Sequence, residues 1–329
     1  MNVLAPTELR HNDELPTSVN RRVARYYILP ATTGILLGVL IIVSVILQPS
    51  ILSFFQMGLF VQIALPLVFV CMGQALVLLT GGLDLSVGGT LAVATVMTAT
   101  WVGSFEGLRL VVILLLGMFL GTINGILVTR VKLNPFIVTL ATWSIFDGIA
   151  LNILPTDGGT PPMGFTNWIT GTTVGVPNSF VVLAVAVVVW MVWSKTRSGR
   201  HLFATGSDEE RAIASGVNVD RVRILAYALS GTAAAMAGIC LALVTSTGSP
   251  TAGDGYILPS IEGAVIGGVS LLGGKGGAGL AILGAFILVF IANVTQALNL
   301  EPWVSDMASA LLLLVVVGTR ALLERDGAK

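Results

Sequence analysis

An all-α polytopic membrane protein with about ten transmembrane helices and both termini in the cytoplasm is the fold class that three observations predict. Only 10% of the 329 residues are charged while 55% are hydrophobic, and the mean hydropathy is +0.92. Soluble domains carry about 25% charged residues, so this composition cannot cover a soluble surface. Apolar runs recur from Ile28 to Leu323, each near the roughly 20 residues that cross a hydrocarbon core as helix. Nearly all Lys and Arg fall in one of two alternating sets of loops. The formal net charge of zero identifies no partner, because in such a chain the placement of charge matters and its sum does not.

The first 27 residues are polar and end in Arg21, Arg22 and Arg25. They precede an apolar run longer than a signal-peptide core and lack a small-residue cleavage site, which predicts a retained cytoplasmic tail over 1–27. The predicted spans are 28–48, 57–79, 85–103, 108–129, 135–154, 178–194, 222–245, 258–272, 278–299 and 303–323, forming a membrane domain over 28–323 ahead of a short tail at 324–329. One set of loops holds Arg130, Lys132, Lys195, Arg197, Arg200, Arg211, Lys275, Arg320 and Arg325, together with the N-terminal arginines. The opposite set, at 49–56, 104–107, 155–177, 246–257 and 300–302, contains no Lys or Arg. Adding or removing one span would scatter the charges over both faces, so the asymmetry supports an even count with both termini inside. The long outer loop at 155–177 is rich in Gly, Pro and Thr and predicts turns with a short surface helix. Two halves of five spans would run in opposite orientations, a candidate inverted repeat. Asn124 before Leu133-Asn134-Pro135-Phe136 echoes Asn293 before Leu300-Glu301-Pro302-Trp303.

Several chemistries have no carrier. Cys71 and Cys240 lie in apolar stretches without CxxC spacing, and His11 and His201 have no second ligand nearby, so neither a metal nor a redox site is expected. The segment Gly267 to Gly279, GGVSLLGGKGGAG, has Val269 and Gly276 where a phosphate loop needs Gly and Ser or Thr, which excludes nucleotide binding by that frame. It reads as a helix-helix turn with a cytoplasmic positive charge. Gly117 and Gly121, and Gly231 and Gly238, read as close helix packing.

Two segments attract functional readings. In TGGLDLSVGG, Thr80 to Gly89, Gly81 and Gly82 permit a helix break, and Asp84 or Ser86 can cap the following helix. A carboxylate in lipid costs about 2.5–3.5 kcal/mol, so Asp84 should face protein or a water-filled space. Its role is a structural cap or a contact in a pathway, and Gly81, Gly82, Asp84, Ser86, Asn124 and Asn293 are the pathway or broken-helix candidates. Asp147, Glu262 and Asp306 are further acidic groups at span edges. The connection at 195–223 is the long, strongly charged cytoplasmic loop. Its middle, SDEERAIASG, has a Ser or Asp cap, acidic residues in the first turn and a Gly stop, which predicts a short exposed helix. Such a helix, joined to a span on each side, is shaped to pass a push from a cytoplasmic partner into the bundle.

Four segments in order, Gly81 to Val96, Asn124 to Thr142, Thr196 to Gly231 and Pro250 to Gly276, resemble the sugar-type, or ribose-type, membrane permeases of bacterial ABC importers. The resemblance runs from about Ile28 to Leu323. It implies a non-enzymatic permease subunit in the bacterial inner membrane for a monosaccharide or related polyol. The implied partners are cytoplasmic ABC ATPase subunits, a periplasmic sugar-binding protein, a second copy or second kind of permease, and membrane lipid, with no nucleic acid. The chain itself would hold no cofactor, ATP and Mg being bound by the partner ATPase. Glu210-Arg211-Ala212 followed by Gly216 is similar to the family's EAA-three-residues-Gly coupling pattern, with Arg211 in place of the first alanine. Glu209, Glu210, Arg211, Ala212 and Gly216 are therefore the implied coupling residues. Two alternatives remain at this stage. One is an ion-coupled secondary transporter using Asp84, Asp147 or Asp306, and the other an ABC permease for an amino acid. A purely structural membrane protein would need no pathway at all.

Overall fold

Each predicted span coincides with a helix, but two of those helices stop halfway. The computed structural model describes residues 17–101 and 105–325, with side chains over 32–101 and 105–319. The helices are α1 (Thr17–Leu47), α2 (Phe54–Leu79), α3 (Val87–Thr100), α4 (Glu106–Thr129), α5 (Pro135–Ile153), α6 (Met163–Thr170), α7 (Asn178–Ser194), α8 (Arg197–Ser207), α9 (Glu209–Ala214), α10 (Val219–Thr245), α11 (Asp254–Gly267), α12 (Ala278–Ala297) and α13 (Pro302–Arg325). The outer loop forms α6 and a hairpin of two-residue strands, β1 (Thr172–Thr173) and β2 (Val176–Pro177). α1 starts at Thr17, ahead of the predicted span edge at 28, so the polar segment from Thr17 is already helical. The remainder of the predicted N-terminal tail, with His11, and residues 326–329 lie outside the described residues.

Among the described residues, α2, α4, α5, α10, α12 and α13 are long and apolar enough to cross a membrane, and α7 joined to α8 qualifies as a pair bent by 73°. The expected full spans at 85–103 and 258–272 are corrected to helices of 14 residues each. At 1.5 Å per residue each rises about 21 Å, short of the roughly 30 Å of a hydrocarbon core. The cause lies in the flanks. After α2, Gly81 takes φ +75 and closes a Schellman motif in which its N–H donates to Leu78 O and the Gly82 N–H donates to Val77 O, ending that helix at Leu79, well before α3 begins at Val87. After α10, Ser246 is left-handed, and bends at Pro250 and Thr251 with a turn at Ala252 and Gly253 separate that helix from α11.

These two half-length helices start from one crossing. Gly88 in the first turn of α3 and Gly253 at the cap of α11 lie backbone against backbone, with no room for a Cβ on either. From there they run to opposite ends. Ala99 near the end of α3 meets Gly159 and Gly248 at the end whose loops lack Lys and Arg. α11 ends at Gly268, ahead of the turn containing Lys275.

The contacts exchange under the same symmetry. α4 packs on α10 as α12 packs on α2, and α3 lies on α10 and α5 as α11 lies on α2 and α13. α2 and α10 are antiparallel, since Leu65 clusters with Ile239 while Gly73 abuts Ser230 and Ala233. The exchange covers four helices per half, not five, because α1 packs on α12 whereas α7 packs on α2. Gly121 of α4 sits against the Tyr227 carbonyl and Gly117 against that of Gly231, so small residues bring α4 and α10 to backbone contact.

Candidate functional site

The break after α2 folds onto α10. Asp84 is 1% exposed and fully engaged. Its Oδ1 accepts from the Ser86 N–H at 3.0 Å and the Ser86 hydroxyl at 2.6 Å, and its Oδ2 accepts from the Ser230 hydroxyl at 2.8 Å. The Asn124 side-chain amide of α4 donates to Ser86 Oγ at 2.7 Å. Tyr227 of α10 donates its hydroxyl to the Leu83 carbonyl at 3.1 Å, and Gly82 leaves room for it, since a Cβ there would lie 2.9 Å from the phenolic oxygen. The segment Gly82 to Ser86 is thus pinned to α4 and α10 by buried bonds. Neither candidate caps α3. Asp84 accepts the N–H just before that helix, and Ser86, at its cap position, makes no side-chain cap bond.

Of the broken-helix candidates, Asp84, Ser86 and Asn124 share this network, with Gly81 and Gly82 shaping the turn that leads into it. Asn293 does not join them. It lies near the far end of α12, its Oδ1 without a protein partner. Sequence reasoning missed Ser230 and Tyr227, which sit in an apolar run where nothing marks them as partners of a residue 146 positions away.

The connection after α7 is two helices where one was expected. Thr196 caps α8, its Oγ1 accepting from the Gly199 N–H at 3.3 Å. Asp208 caps α9, accepting from the Arg211 N–H at 3.0 Å. α9 then stops in a second Schellman motif. Gly216 takes φ +79, its N–H donates to Ile213 O at 2.9 Å, and the Val217 N–H donates to Ala212 O at 3.0 Å. Ala212 is buried in the core cluster with Leu202, Val217, Val219 and Val222, the apolar contact that accompanies this turn. Glu210, Arg211, Ile213, Ala214 and Gly216 are exposed. Arg211, 88% exposed along its side chain, pairs with Asp208 at 2.8 Å. Glu209 instead faces Arg223 in a two-point ion pair at 2.7 and 3.0 Å, tying α9 to the first turn of α10.

This segment touches the break directly. Gly206 of α8 packs against the carbonyl of Leu79, the last residue of α2, and lies beside Gly274. The Gly274 N–H donates to that same Leu79 carbonyl at 3.0 Å. A Cβ on Gly273 would stand 3.1 Å from the Gly206 carbonyl, the Gly81 nitrogen and the Leu79 carbonyl alike. Three backbone segments from α8, the end of α2 and the glycine-rich turn therefore meet without side chains between them. The helix just ahead of α9 thus lies in backbone contact with the end of α2, at the break that leads to α3.

Residues 56–317 match the family described as "Branched-chain amino acid transport system / permease component". The chain is 34% identical over 258 residues to the ribose import permease protein of Haemophilus influenzae, covering 75% of this chain and 79% of that one. It belongs to the sugar-type permeases of ABC importers. To the ribose import permease protein of Bacillus subtilis it is 34% identical over 290 residues, 85% of this chain and 89% of the relative. To the fructose import permease protein of Rhizobium meliloti it is 32% identical over 303 residues, 88% and 84% respectively. No solved structure matches. The multi-pass helical fold and the place of the chain in an ABC import system follow from this membership, and the family's permeases are transport subunits and not themselves enzymes.

Proposed function

We propose that this permease forms the path of a monosaccharide or related polyol across the bacterial inner membrane and that the α8–α9 segment is where a cytoplasmic ATPase dimer pushes. The observation that carries the reading is the glycine junction, because it joins an exposed docking helix to the α2–α3 break through backbone alone. Glu210, Arg211 and Ile213 supply the outward contact, while Ala212 and the Glu209–Arg223 pair hold α9 to the bundle. ATP and Mg belong to the partner subunit. A binding protein delivers the solute at the opposite end, and a second permease completes the pore. The sugar names of the relatives favour a sugar over the amino acid in the family's description.

Mass spectrometry of proteins that copurify with the tagged chain from its own host in mild detergent tests the assembly. A P-loop ATPase and a periplasmic binding protein are expected, and the ligand of the latter identifies the solute. The chain repeatedly isolated alone, and competent for ion-driven uptake in liposomes, would overturn the reading.

Gly216→Pro tests the docking helix. Proline fixes φ near −65° and removes the N–H, whereas this position needs φ +79 and donates to Ile213 O. The variant is expected to insert at the parent level, to lose most ATP-driven uptake and to copurify with less ATPase. Normal uptake would remove α9 from the coupling path.

A further inference from the structure

We propose that a cavity walled by α2, α11, α12 and α13 holds a neutral polyhydroxylated solute in passage, with the Glu262 carboxylate as its principal hydroxyl acceptor. The inference rests on the importer reading and places the solute. The cavity measures about 250 Å³, below the roughly 300–1,000 Å³ typical of drug-sized ligands and suited to a smaller solute. Tyr256 and Glu262 of α11 and Ser305 and Ser309 of α13 give it polar groups, and Ile63 and Leu67 of α2 give it an apolar wall. Such a mixture, an aromatic ring and apolar surface beside hydroxyls and a carboxylate, matches a molecule with C–H faces and an equator of hydroxyls.

The carboxylate has little structural employment. Asp84 spends both oxygens on three hydrogen bonds within the fold, whereas Glu262 has the Ser309 hydroxyl as its side-chain hydrogen-bond neighbour. That hydroxyl also lies 3.0 Å from the Asp306 carbonyl. An ionised carboxylate offers about four lone-pair sites, so most remain for solute hydroxyls. Retaining such a group inside a membrane bundle points to use in a pathway. Asn293, one turn beyond Val289 of the cavity wall, has its buried Oδ1 without a protein partner. The wall comes from the later half of α12 and the first turns of α13, at the end whose loops lack Lys and Arg, where solute would arrive. Glu262 and the nearby Asp306 would repel phosphorylated sugars, so the class admitted is unphosphorylated.

The test uses the assembled complex with D-ribose, D-fructose and L-arabinose as probes. Ser305→Cys should react with a membrane-impermeant maleimide above the parent background, since Cys71 and Cys240 are buried, and a transported probe should slow that reaction. Glu262→Ala should cut uptake about tenfold, as expected for a lost charge-assisted hydrogen bond, with Glu262→Gln intermediate. Should Glu262→Ala fail to fold, the labelling decides. Unlabelled Ser305→Cys, or labelling indifferent to the sugar, in a complex that transports one of the probes overturns the site and leaves the importer reading standing. A parent complex that transports none of them overturns both.

Discussion

Gly206→Ala is expected to abolish ATP-driven uptake while the chain still inserts and assembles. A Cβ at this position would overlap the Leu79 carbonyl and crowd the Gly274 nitrogen. Both are backbone atoms, so no flexible side chain can swing aside. Inserting one methyl into a packed contact costs about 1–3 kcal/mol, and each 1.4 kcal/mol is about tenfold in an equilibrium. The cheapest relief is for α8 to move off the end of α2, which disconnects the docking helix from the α2–α3 break. Uptake and ATP hydrolysis measured together in proteoliposomes check this. Uptake should fall at least about tenfold while hydrolysis by the complex continues, the signature of a broken linkage. Gly274→Ala attacks the same junction from the other side, where φ +72 adds backbone strain, and should behave alike. Ser207→Ala, which removes an exposed hydroxyl with a 2.8 Å bond to Phe203 O in its own helix and a 3.4 Å approach to Gly274 O, should transport normally. Parent-level uptake by both glycine variants would sever the proposed route from ATPase to break.

The basic residues that orient the spans also mark the face on which α8 and α9 lie, because charge placement is written locally and survives any rearrangement of helices. Arg130, for instance, pairs with Asp220 across two connections on that face at 3.3 Å. The α9 stop at Gly216 was legible for the same reason, since a cap and a left-handed glycine are properties of adjacent residues. What the sequence concealed are the meetings between distant segments. Hydropathy reads 85–103 as one span because Leu85 and Trp101 are apolar, yet helix begins at Val87 and ends at Thr100. The glycine-rich turn departs from the spacing of a phosphate loop, and nothing in its sequence hints that its glycines face Gly206. Ser230 looked like one more small residue of a membrane helix, and only the fold places it opposite Asp84. The five-helix repeat was half legible. The Asn–Pro echo marked equivalent helices, while the helix lengths and packing that define a four-helix unit exist only in three dimensions.

Asp84→Asn and Asp84→Ala are expected to differ sharply, and the difference separates a structural clasp from a coupling carboxylate. In Asp84→Ala the Ser86 N–H and hydroxyl and the Ser230 hydroxyl lose their acceptor in a site with no solvent. A buried donor left unsatisfied costs about 1–3 kcal/mol, so the loss is roughly 3 kcal/mol or more across the network, enough to release Gly82 to Ser86 from α10. Lower thermal stability in detergent and severely reduced uptake should follow. Asparagine keeps Oδ1 as acceptor for both Ser86 donors and offers an N–H to Ser230 Oγ. The serine hydroxyl can then turn to the carbonyl of Ala226 one turn earlier, a bond open to helical serines. Asp84→Asn should therefore melt close to the parent and transport within a fewfold of it. A carrier driven by ions through this carboxylate would respond in the opposite manner, because either substitution removes the titrating group and both would stop coupled uptake. Paired melting curves and uptake assays decide between them: an inactive but fully stable Asp84→Asn would return Asp84 to the list of coupling residues, and an Asp84→Ala as stable and active as the parent would show that the clasp holds nothing.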